Sequence, residues 1–559
     1  MQEKINAILK KTFPGASDWK IEISKEARFG HYSSAAAFGQ ARAEGRDAME
    51  IASALAGRIQ AADQGRLFEK VTVTSPGFIN FWLSKEAIQE EFLAIKKAGG
   101  KWGKPSLKKR ETAVIDYSHP NIAKPMSVAH LRSTIIGQAL YNIFQFSGYK
   151  VVGDNHLGDW GKQFGVLIAA FKNSKLDLRR ATMEDLFNLY VDYTGRLKAN
   201  PALEEAARLE TKKLQEGNEE NIKIWEKFYA LSLTEFKKIY KALGVKFDYF
   251  LGESFYKKML PGVVGDALRA GAAKRSAGAV IVEFPDLPPF IIQKSDDAYL
   301  YATTDIAAVK YRIKKFKPQL LLYVVDNGQT LHFEQLFRTV RKLGYVKDEK
   351  LVHVKFGLIL SEDMKKLSTR AGRHIALGAV IEEAIKRAGK IVRTKRPDLT
   401  PKEQNLIAYQ VGVGSLKYND LSQNRQSDIA FNWDKMMSLE GNSAPYLMYT
   451  YARLRSIMRK GKLKAFAPGT LRKTADLELV LKLSQFREVI ARVLGDYFPH
   501  ELADYLYGLA KKVNYFYQTE PVLKSEPELK AMRLCLVDQV AKTLKTGLAL
   551  LGIKVLERM

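Results

Sequence analysis

One stretch of the sequence constrains the fold more than any other: a strand, a polar turn, a helix and a second strand follow one another from Thr112 to Leu157. The apolar run TAVIDYS predicts the first strand, and YKVVGDNHL predicts the second. Between them, from Leu131 to Phe144, apolar residues recur at the three- and four-residue spacings of a helix with a buried face. The order strand, helix, strand predicts a parallel, doubly wound sheet.

Two more buried strands, LLLYVVDN and HVKFGLILS, appear only much further along the chain. The residues before them read first as charged helices and then, from Gly278 to Pro289, as a compact segment. We therefore expect the sheet domain to span residues 109–375 and to be interrupted by an insertion at about 170–290.

The two ends of the chain predict separate domains. In residues 1–108, helical patterns precede two alternating strands that meet at the turn Ser75-Pro76-Gly77, and a basic linker follows. This indicates a small N-terminal α+β domain. Residues 376–559 show helical spacing almost throughout, broken by proline or glycine, which predicts a C-terminal all-α helical bundle.

The composition narrows the class of protein. No apolar run approaches the roughly 20 residues that a membrane helix needs, and the N-terminus lacks a secretory core, so we expect a cytoplasmic protein without membrane association. The single cysteine, Cys535, excludes an internal disulfide and a cysteine-based zinc site. The net charge of +28 favours a polyanionic partner, for which nucleic acid is the first candidate.

The turn DYSHPNIAKPMSVAHLRST places polar side chains after the first strand and at the start of the helix. In an open parallel sheet ligands bind in that crevice, and the unpaired N–H groups of a helix N-terminus suit phosphate. His130 could donate a hydrogen bond to a phosphoryl oxygen. A helix cap with an internally bonded histidine fits the turn equally well, so the turn alone leaves both readings open.

The same turn resembles the first active-site motif, H-x-G-H, of the class I aminoacyl-tRNA synthetases. With its flanks PNIAKP and HLRSTIIG it is similar to the arginyl-tRNA synthetase version. The resemblance extends over nearly the whole chain. It is carried also by NHLGDWGKQFG, YATTD at 301–305, YVVDNGQTLHFEQ, KLSTR at 366–370 in the place of the K-M-S-K-S loop, NSAPYLMYTYARLRSI, the final LLGIKVLERM and the N-terminal SPGFINFWLS.

This resemblance implies an enzyme with a Rossmann-like catalytic domain that activates L-arginine with ATP and Mg²⁺, without zinc. The arginyl group of the adenylate would then pass to the 3′-terminal ribose of tRNA(Arg), with release of AMP and pyrophosphate. Positioning and neutralisation of phosphate charge would carry the catalysis. The residues implied as catalytic are Lys124, His130, Lys366 and Arg370. Those implied to bind ATP are Ser127, Ala129, His130, Lys366 and Ser368.

Selecting arginine requires carboxylates opposite a planar guanidinium that stays charged. The resemblance assigns this role to Asp116 and Asp305, with Tyr301 alongside, and assigns the α-amino and α-carboxylate groups to Asn121 and Gln329. Without the resemblance, Asp305 would be read as an acid in the first turn of a helix and Asp116 as a turn residue.

The predicted tRNA contacts lie in the two outer domains. The N-terminal domain resembles the one that contacts the D-loop at the tRNA elbow, and the C-terminal bundle resembles the anticodon-binding domain. Between Arg453 and Lys473 eight cations occur without an acid, which favours a polyanion. We expect a monomer whose tRNA-binding residues include Phe78, Asn80, Tyr449, Tyr451, Arg453 and Arg455.

The sequence departs from the family in the motif itself, which reads Ser127-Val128-Ala129-His130. Serine replaces the first histidine, and Ala129 adds a methyl group where the family has glycine. Two interpretations follow: a working enzyme with lowered ATP affinity, which the other matching residues favour, or a tRNA-binding protein that has lost activation. A class I synthetase for another amino acid is a further alternative.

Overall fold

The computed structural model describes residues 1–14, 19–24, 26–105, 110–197, 199–360, 375–462, 470–471 and 473–559. Three sets of elements follow one another along the chain: an antiparallel sheet with helices, a parallel sheet with helices, and a long run of helices. The predicted fold class is therefore confirmed.

The N-terminal part combines four helices with one small sheet. Its elements are α1 (Gln2–Thr12), β1 (Ile21–Ile23), β2 (Tyr32–Ser34), α2 (Ala36–Glu44), α3 (Ala48–Asp63), β3 (Phe68–Thr74), β4 (Phe78–Leu83) and α4 (Lys85–Ala98). The strands are antiparallel in the order β1-β2-β4-β3. The side chains of Asp47 and Ser84 accept hydrogen bonds from the first N–H groups of α3 and α4 and thereby define where these helices begin.

The middle part contains the parallel sheet. Its elements are β5 (Thr112–Asp116), α5 (Ala129–Phe146), β6 (Lys150–Asn155), α6 (Lys162–Lys172), α7 (Met183–Leu197), α8 (Pro201–Glu216), α9 (Glu219–Leu243), β7 (Tyr249–Phe250), α10 (Glu253–Tyr256), α11 (Leu260–Arg269), β8 (Lys274–Ser276), β9 (Ala279–Val282), β10 (Phe290–Gln293), α12 (Tyr301–Phe316), β11 (Leu320–Tyr323), α13 (Thr330–Lys342), β12 (Lys350–His353) and β13 (Ile359–Leu360).

Five of these strands form one parallel sheet in the order β12-β11-β5-β6-β7. The central strand, β5, is buried on both faces, as expected for a sheet covered by helices on each side. Ala113 and Ile115 pack in the same core as α5, whereas Val114 packs with α11, α12 and α13. The apolar residues of α5 that the sequence singled out, from Leu131 to Phe144, are buried.

Two details of the strand prediction were wrong. Residues 170–290 are not one uninterrupted insertion, because β7 returns to the sheet beside β6 and separates the helices α6–α9 from the antiparallel sheet β8–β10. HVKFGLILS is not one strand either: β12 ends at His353, and β13 pairs with a distant strand after a break. Strands of two residues are too short to show an alternating pattern.

The C-terminal part is almost entirely helical. Its elements are α14 (Leu377–Lys395), α15 (Pro401–Leu421), β14 (Ile429–Ala430), α16 (Trp433–Met437), α17 (Ala444–Gly461), α18 (Thr474–Ser484), α19 (Phe486–Asp496), α20 (Pro499–Thr519) and α21 (Pro527–Leu550).

The chain's N-terminal part packs onto these helices. The buried hydroxyl of Tyr32 donates to the carboxylate of Glu488, and the terminal amine of Met1 lies 3.3 Å from the same group. Over the described ranges, none of the helices combines the length and the apolar character needed to span a bilayer.

Candidate active site

Polar side chains collect where three neighbouring strands of the parallel sheet end. Asp116 is the last residue of β5, and the register sets it directly beside Asp154 of β6 and Tyr323 of β11. Because the strands are parallel, these side chains meet at the carboxyl edge of the sheet, where ligands bind in folds of this type.

A buried arginine links the two acids at this edge. Arg312 of α12 is 1% exposed, and its Nη2 lies 2.8 Å from Oδ2 of Asp116 and 2.8 Å from Oδ2 of Asp154. Burial alone would lower the pKa of Arg312, but the two carboxylates hold it well above its usual value. The guanidinium also lies over the ring of Tyr323, 5.4 Å from its centroid.

Asp305 lies on the same helix as Arg312 but remains partly open. Its side chain is 25% exposed, against 6% for Asp116. Oδ2 of Asp305 lies 2.6 Å from Nε2 of His332, and Oδ1 lies 3.9 Å from Nε2 of His156. Burial would raise the pKa of Asp305, but the hydrogen bond and the charge of His332 outweigh it and lower the pKa.

The two acids singled out from the sequence face the same cleft. Burial raises the pKa of Asp116 and the negative charge of Asp305 adds to this, while Arg312 opposes both. His119 also lies here, with Nδ1 3.7 Å from Oδ1 of Asp116. Oδ1 of Asp116 is itself buried without a hydrogen-bond partner, so one acceptor of this pair is unsatisfied.

The other predicted arginine-binding residues lie on three separate segments. Tyr301 is the first residue of α12; it is 60% exposed, and its ring centroid lies 4.8 Å from that of His332. Asn121 is exposed and packs over Gly158, where a Cβ atom would come within 2.0 Å of its Oδ1. Gln329 is exposed on the short 3₁₀ turn before α13.

The signature turn is internally bonded. Both the backbone N–H and the hydroxyl of Ser127 lie 3.0 Å from Nδ1 of His130. Ala129 is exposed at the first position of α5, and Nζ of Lys124 lies 4.5 Å from the ring centroid of Tyr190. The three other predicted phosphate-binding residues, Lys366, Ser368 and Arg370, lie outside the described residues.

The chain that follows those residues is attached to the signature turn. The N–H of Val128 donates to the carbonyl of Ile375, and the N–H of Leu377 donates to the carbonyl of Met126. Ile375 and Leu377 are therefore hydrogen-bonded to residues directly beside Ser127.

The predicted tRNA contacts divide into exposed and buried residues. Phe78 is 41% exposed and Tyr449 is 47% exposed. Asn80 is 1% exposed and donates to Oγ1 of Thr74 at 2.6 Å, while Tyr451 is 2% exposed and donates to Oε1 of Glu557. The sequence pattern of Tyr451 suggested a stacking surface, but in the structure its ring is buried in the hydrophobic core and its hydroxyl bonds to Glu557.

The basic run that starts at Arg453 also has counter-charges. Arg453 stacks on Tyr517, with its Cζ 4.8 Å from the ring centroid. Arg455 lies 2.8 Å from Oε2 of Glu557, and Lys473 lies 3.1 Å from Oε2 of Glu520. The expectation of cations without counter-charge is therefore wrong for Arg455 and Lys473, because acids distant in sequence fold against these two. Lys464 and Arg472 lie outside the described residues.

Sequence reasoning missed several residues of the cleft, among them Asp154, His156, Arg312 and His332. Arg312 could have been found, because it follows Asp305 by seven positions, which places both on one face of a helix. The two histidines carried no such signal, since their proximity to Asp305 depends on how separate elements pack. Across the part of the chain that the structure describes, no group of three histidine, cysteine or acidic residues could hold a metal ion.

Comparison with known proteins agrees with this geometry. Family models match three stretches: the class I (R) tRNA synthetase catalytic domain at 93–433, the arginyl tRNA synthetase N-terminal domain at 1–83 and the DALR anticodon binding domain at 447–559. The parallel sheet, its ligand-binding edge and the first of these matches define a class I tRNA synthetase.

Individual relatives specify the family further. Arginine–tRNA ligases from Chloroflexus aurantiacus and Fusobacterium nucleatum are 42% and 41% identical, covering 93% and 97% of this chain and 92% and 95% of their own lengths. The structure of arginyl-tRNA synthetase from Plasmodium falciparum is 29% identical, with a TM-score of 0.84 over 99% of this chain and 98% of its own. The chain belongs to the arginyl-tRNA synthetase family.

Membership of this family implies the use of ATP, with arginine and tRNA as the other substrates. The alternative of a tRNA-binding protein that has lost activation is not supported, because the catalytic-domain model matches and the relatives are arginine–tRNA ligases.

Proposed function

We propose that this chain is an arginine–tRNA ligase in which Asp305 is the principal contact of the arginine guanidinium. The observation that carries this is the partly open carboxylate of Asp305, oriented by His332 at 2.6 Å and facing the cleft at the carboxyl edge of the sheet. A guanidinium cannot be neutralised, so it requires an ionised acid, and the lowered pKa of Asp305 supplies one.

Asp116 has a supporting role in this proposal. Arg312 already contacts its Oδ2, whereas its Oδ1 is buried without a hydrogen-bond partner and is left to accept from the substrate. Arg312 also opposes the rise that burial causes in the pKa of Asp116 and of Asp154, and it lies 2.8 Å from both carboxylates. The guanidinium would thus bind between Asp305 and the free oxygen of Asp116, with Tyr301 against one face, while Asn121 and Gln329 hold the α-amino and α-carboxylate groups.

ATP would bind at the first turn of α5. The N–H groups at the start of this helix and the donors Lys124 and His130 suit the phosphates. Ser127 and Ala129 would border the nucleotide, and Lys366, Ser368 and Arg370 would approach the phosphates from the following loop. Mg²⁺ would accompany ATP and be held largely by phosphate oxygens, because the described residues form no three-ligand site of their own.

The tRNA would be held at both ends of the chain by a monomeric, cytoplasmic enzyme. Residues 1–108 would contact the elbow of the tRNA, where Phe78 is exposed. Residues 376–559 would contact the anticodon, with Tyr449 and Arg453 on the accessible surface. Residues 109–375 would carry the catalysis. Asn80, Tyr451 and Arg455 would act through the folding of these surfaces, since each already bonds to a protein partner.

The test is aminoacylation of tRNA(Arg) with labelled arginine, together with arginine-dependent pyrophosphate exchange with and without tRNA. We expect arginyl-tRNA to form and the other amino acids to be rejected. If tRNA binds normally but neither exchange nor aminoacylation occurs, the proposed activity is wrong. Charging with a different amino acid would contradict the assignment of Asp305.

A further inference from the structure

A pocket of about 420 Å³ lies apart from the active-site cleft, between α5, α9, α15 and the end of the chain after α21. Its charged lining residues are all lysines, and none of the described residues that line it is an acid. We call it the lysine pocket and define it by Lys241, Lys417, Lys545 and Lys554.

Lys417 forms the floor of this pocket. It is 4% exposed, and its Nζ donates to the carbonyl of Gly552 at 2.6 Å, the hydrogen bond that the structure shows for its three N–H donors. Burial, with Lys554 adding to it, lowers the pKa of Lys417 to about 8. A buried ammonium with one neutral partner lacks the compensation that buried charges normally have.

Two glycines explain how the ammonium reaches this position. Gly244 and Gly552 follow α9 and α21 in left-handed turns, with φ of 64° and 72°, and Cβ atoms there would lie 3.9 and 3.4 Å from Nζ of Lys417. The ammonium therefore rests against the C-terminal ends of two helices, whose partial negative charge attracts a cation. The two helix ends explain why the ammonium of Lys417 can be buried, but they do not explain the three lysines around it.

The positive charge of the pocket exceeds what the protein supplies to balance it. Two helix C-termini together carry about one negative charge. The acid that approaches the lining is Glu557, 3.9 Å from Nζ of Lys545. Lys241 and Lys554 are exposed and have no acidic partner among the described residues. The pocket is also large enough for a small ligand and has partly apolar walls at Tyr409, Val413 and Ile553.

We propose that the lysine pocket binds a phosphate group, either a phosphodiester of the tRNA or a free phosphate compound. Its walls come from the stretch that matches the catalytic-domain model and from the stretch that matches the anticodon-binding model. A bound phosphate would therefore contact both stretches of the chain. If the bound phosphate belongs to tRNA, the proposal rests on the proposed function. If it belongs to a free phosphate compound, the proposal is independent of that function.

The first arm of the test is calorimetric titration with inorganic phosphate at constant ionic strength. The active site is filled beforehand with arginine and a non-hydrolysable ATP analogue, so that its phosphate sites are occupied. We expect the wild-type chain to bind and the Lys241→Ala/Lys554→Ala variant to bind at least tenfold more weakly. Lys524→Ala, an exposed lysine elsewhere, is the matched control and should leave binding unchanged.

The second arm measures tRNA affinity against salt for the same variants. If the phosphate is part of tRNA, the double variant loses affinity and its salt slope falls by about one for each lost contact. If it is a free compound, phosphate binding is lost while tRNA affinity is unchanged. Equal phosphate and tRNA affinities in wild type and double variant overturn the proposal. If the affinities are equal and aminoacylation is normal, the phosphate proposal is wrong and the proposed function still holds. If aminoacylation fails, the proposed function is wrong, and the phosphate titration still tests the lysine pocket.

Discussion

The backbone N–H and the hydroxyl of Ser127 both lie 3.0 Å from Nδ1 of His130. A backbone N–H can only donate, so Nδ1 accepts, and a neutral ring carries its proton on Nε2. Ser127 therefore orients the histidine that follows it in the motif. The serine that replaces the family's first histidine thus has an observed contact of its own.

Ser127→Ala removes the hydroxyl contact but keeps the backbone N–H. We expect the KM for ATP to rise about 3- to 10-fold, because a single neutral hydrogen bond contributes about 1 kcal/mol. Steady-state aminoacylation at varied ATP measures this. Ser53→Ala, on the exposed side of α3, is the control. An unchanged KM would mean that the backbone contact orients His130 alone.

Asp305→Asn removes the charge that faces the proposed guanidinium. We expect kcat/KM for arginine to fall at least 30-fold, since losing one partner of a desolvated charge pair costs about 2–5 kcal/mol. Aminoacylation at varied arginine tests this, with Asp297→Asn in an exposed loop as the control. Unaltered arginine kinetics would show that Asp305 does not contact the substrate.

Arg312→Met leaves Asp116 and Asp154 buried without their shared cation. We expect a loss of about 3–5 kcal/mol in the free energy of unfolding, because the two carboxylates are then uncompensated. Thermal and denaturant unfolding measure this. Arg269→Met is the control: Arg269 is 73% exposed in its pair with Asp266, and its loss should matter by less than about 1 kcal/mol. Equal losses in both variants would refute the prediction.

The buried carboxyl group of Glu253 should make the stability of the folded chain depend on pH. Burial raises its pKa to about 7, with Asp159 and Asp305 adding to the rise and His156 opposing it. The folded state therefore holds this proton more tightly than the unfolded state does, and the resulting stability is complete below about pH 4.5 and lost as the pH rises through about 7. Relative to Glu253→Gln, the Tm of the wild type should fall between pH 5 and 8 in calorimetric scans. A Tm difference that does not vary with pH would contradict this.

Tyr449 and Tyr451 should differ in tRNA binding although they are two residues apart. Tyr449→Ala removes an exposed ring and should weaken binding by about 1–3 kcal/mol if a base stacks on it. Tyr451→Phe, in a buried ring, removes the bond to Glu557 and should leave tRNA affinity nearly unchanged. Filter binding at fixed salt compares the two. If Tyr451→Phe weakened tRNA binding more than Tyr449→Ala, Glu557 at the end of the chain would have to move away from Tyr451 when tRNA binds.

Much of the fold was predictable because it rests on local patterns. The period of α5 and the two-sided burial of β5 could be read directly, since helix and strand spacing report which side chains are buried. The two-residue strand β7 could not be read, nor could the break between β12 and β13, because so short a segment carries no period.

The candidate site was predictable in its residue types but not in its partners. The resemblance to the family assigned Asp116 and Asp305 to one pocket, yet nothing local indicated that Arg312 already contacts one oxygen of Asp116. Likewise the pattern around Tyr451 suggested an accessible aromatic residue. In the structure its ring is buried in the core, and its hydroxyl bonds to Glu557, which is 106 positions further along the chain.

The sequence alone determined the order of the elements, the family and the chemical groups at the sheet edge, since each is written in neighbouring residues. Only the tertiary structure decided which charges are paired: Arg312 with two acids, Glu557 over the basic helix, and the lysine pocket with an excess of positive charge. The physical reason is that the energy of a charge depends on its burial and on the groups within a few ångströms, and both come from elements that are distant along the chain.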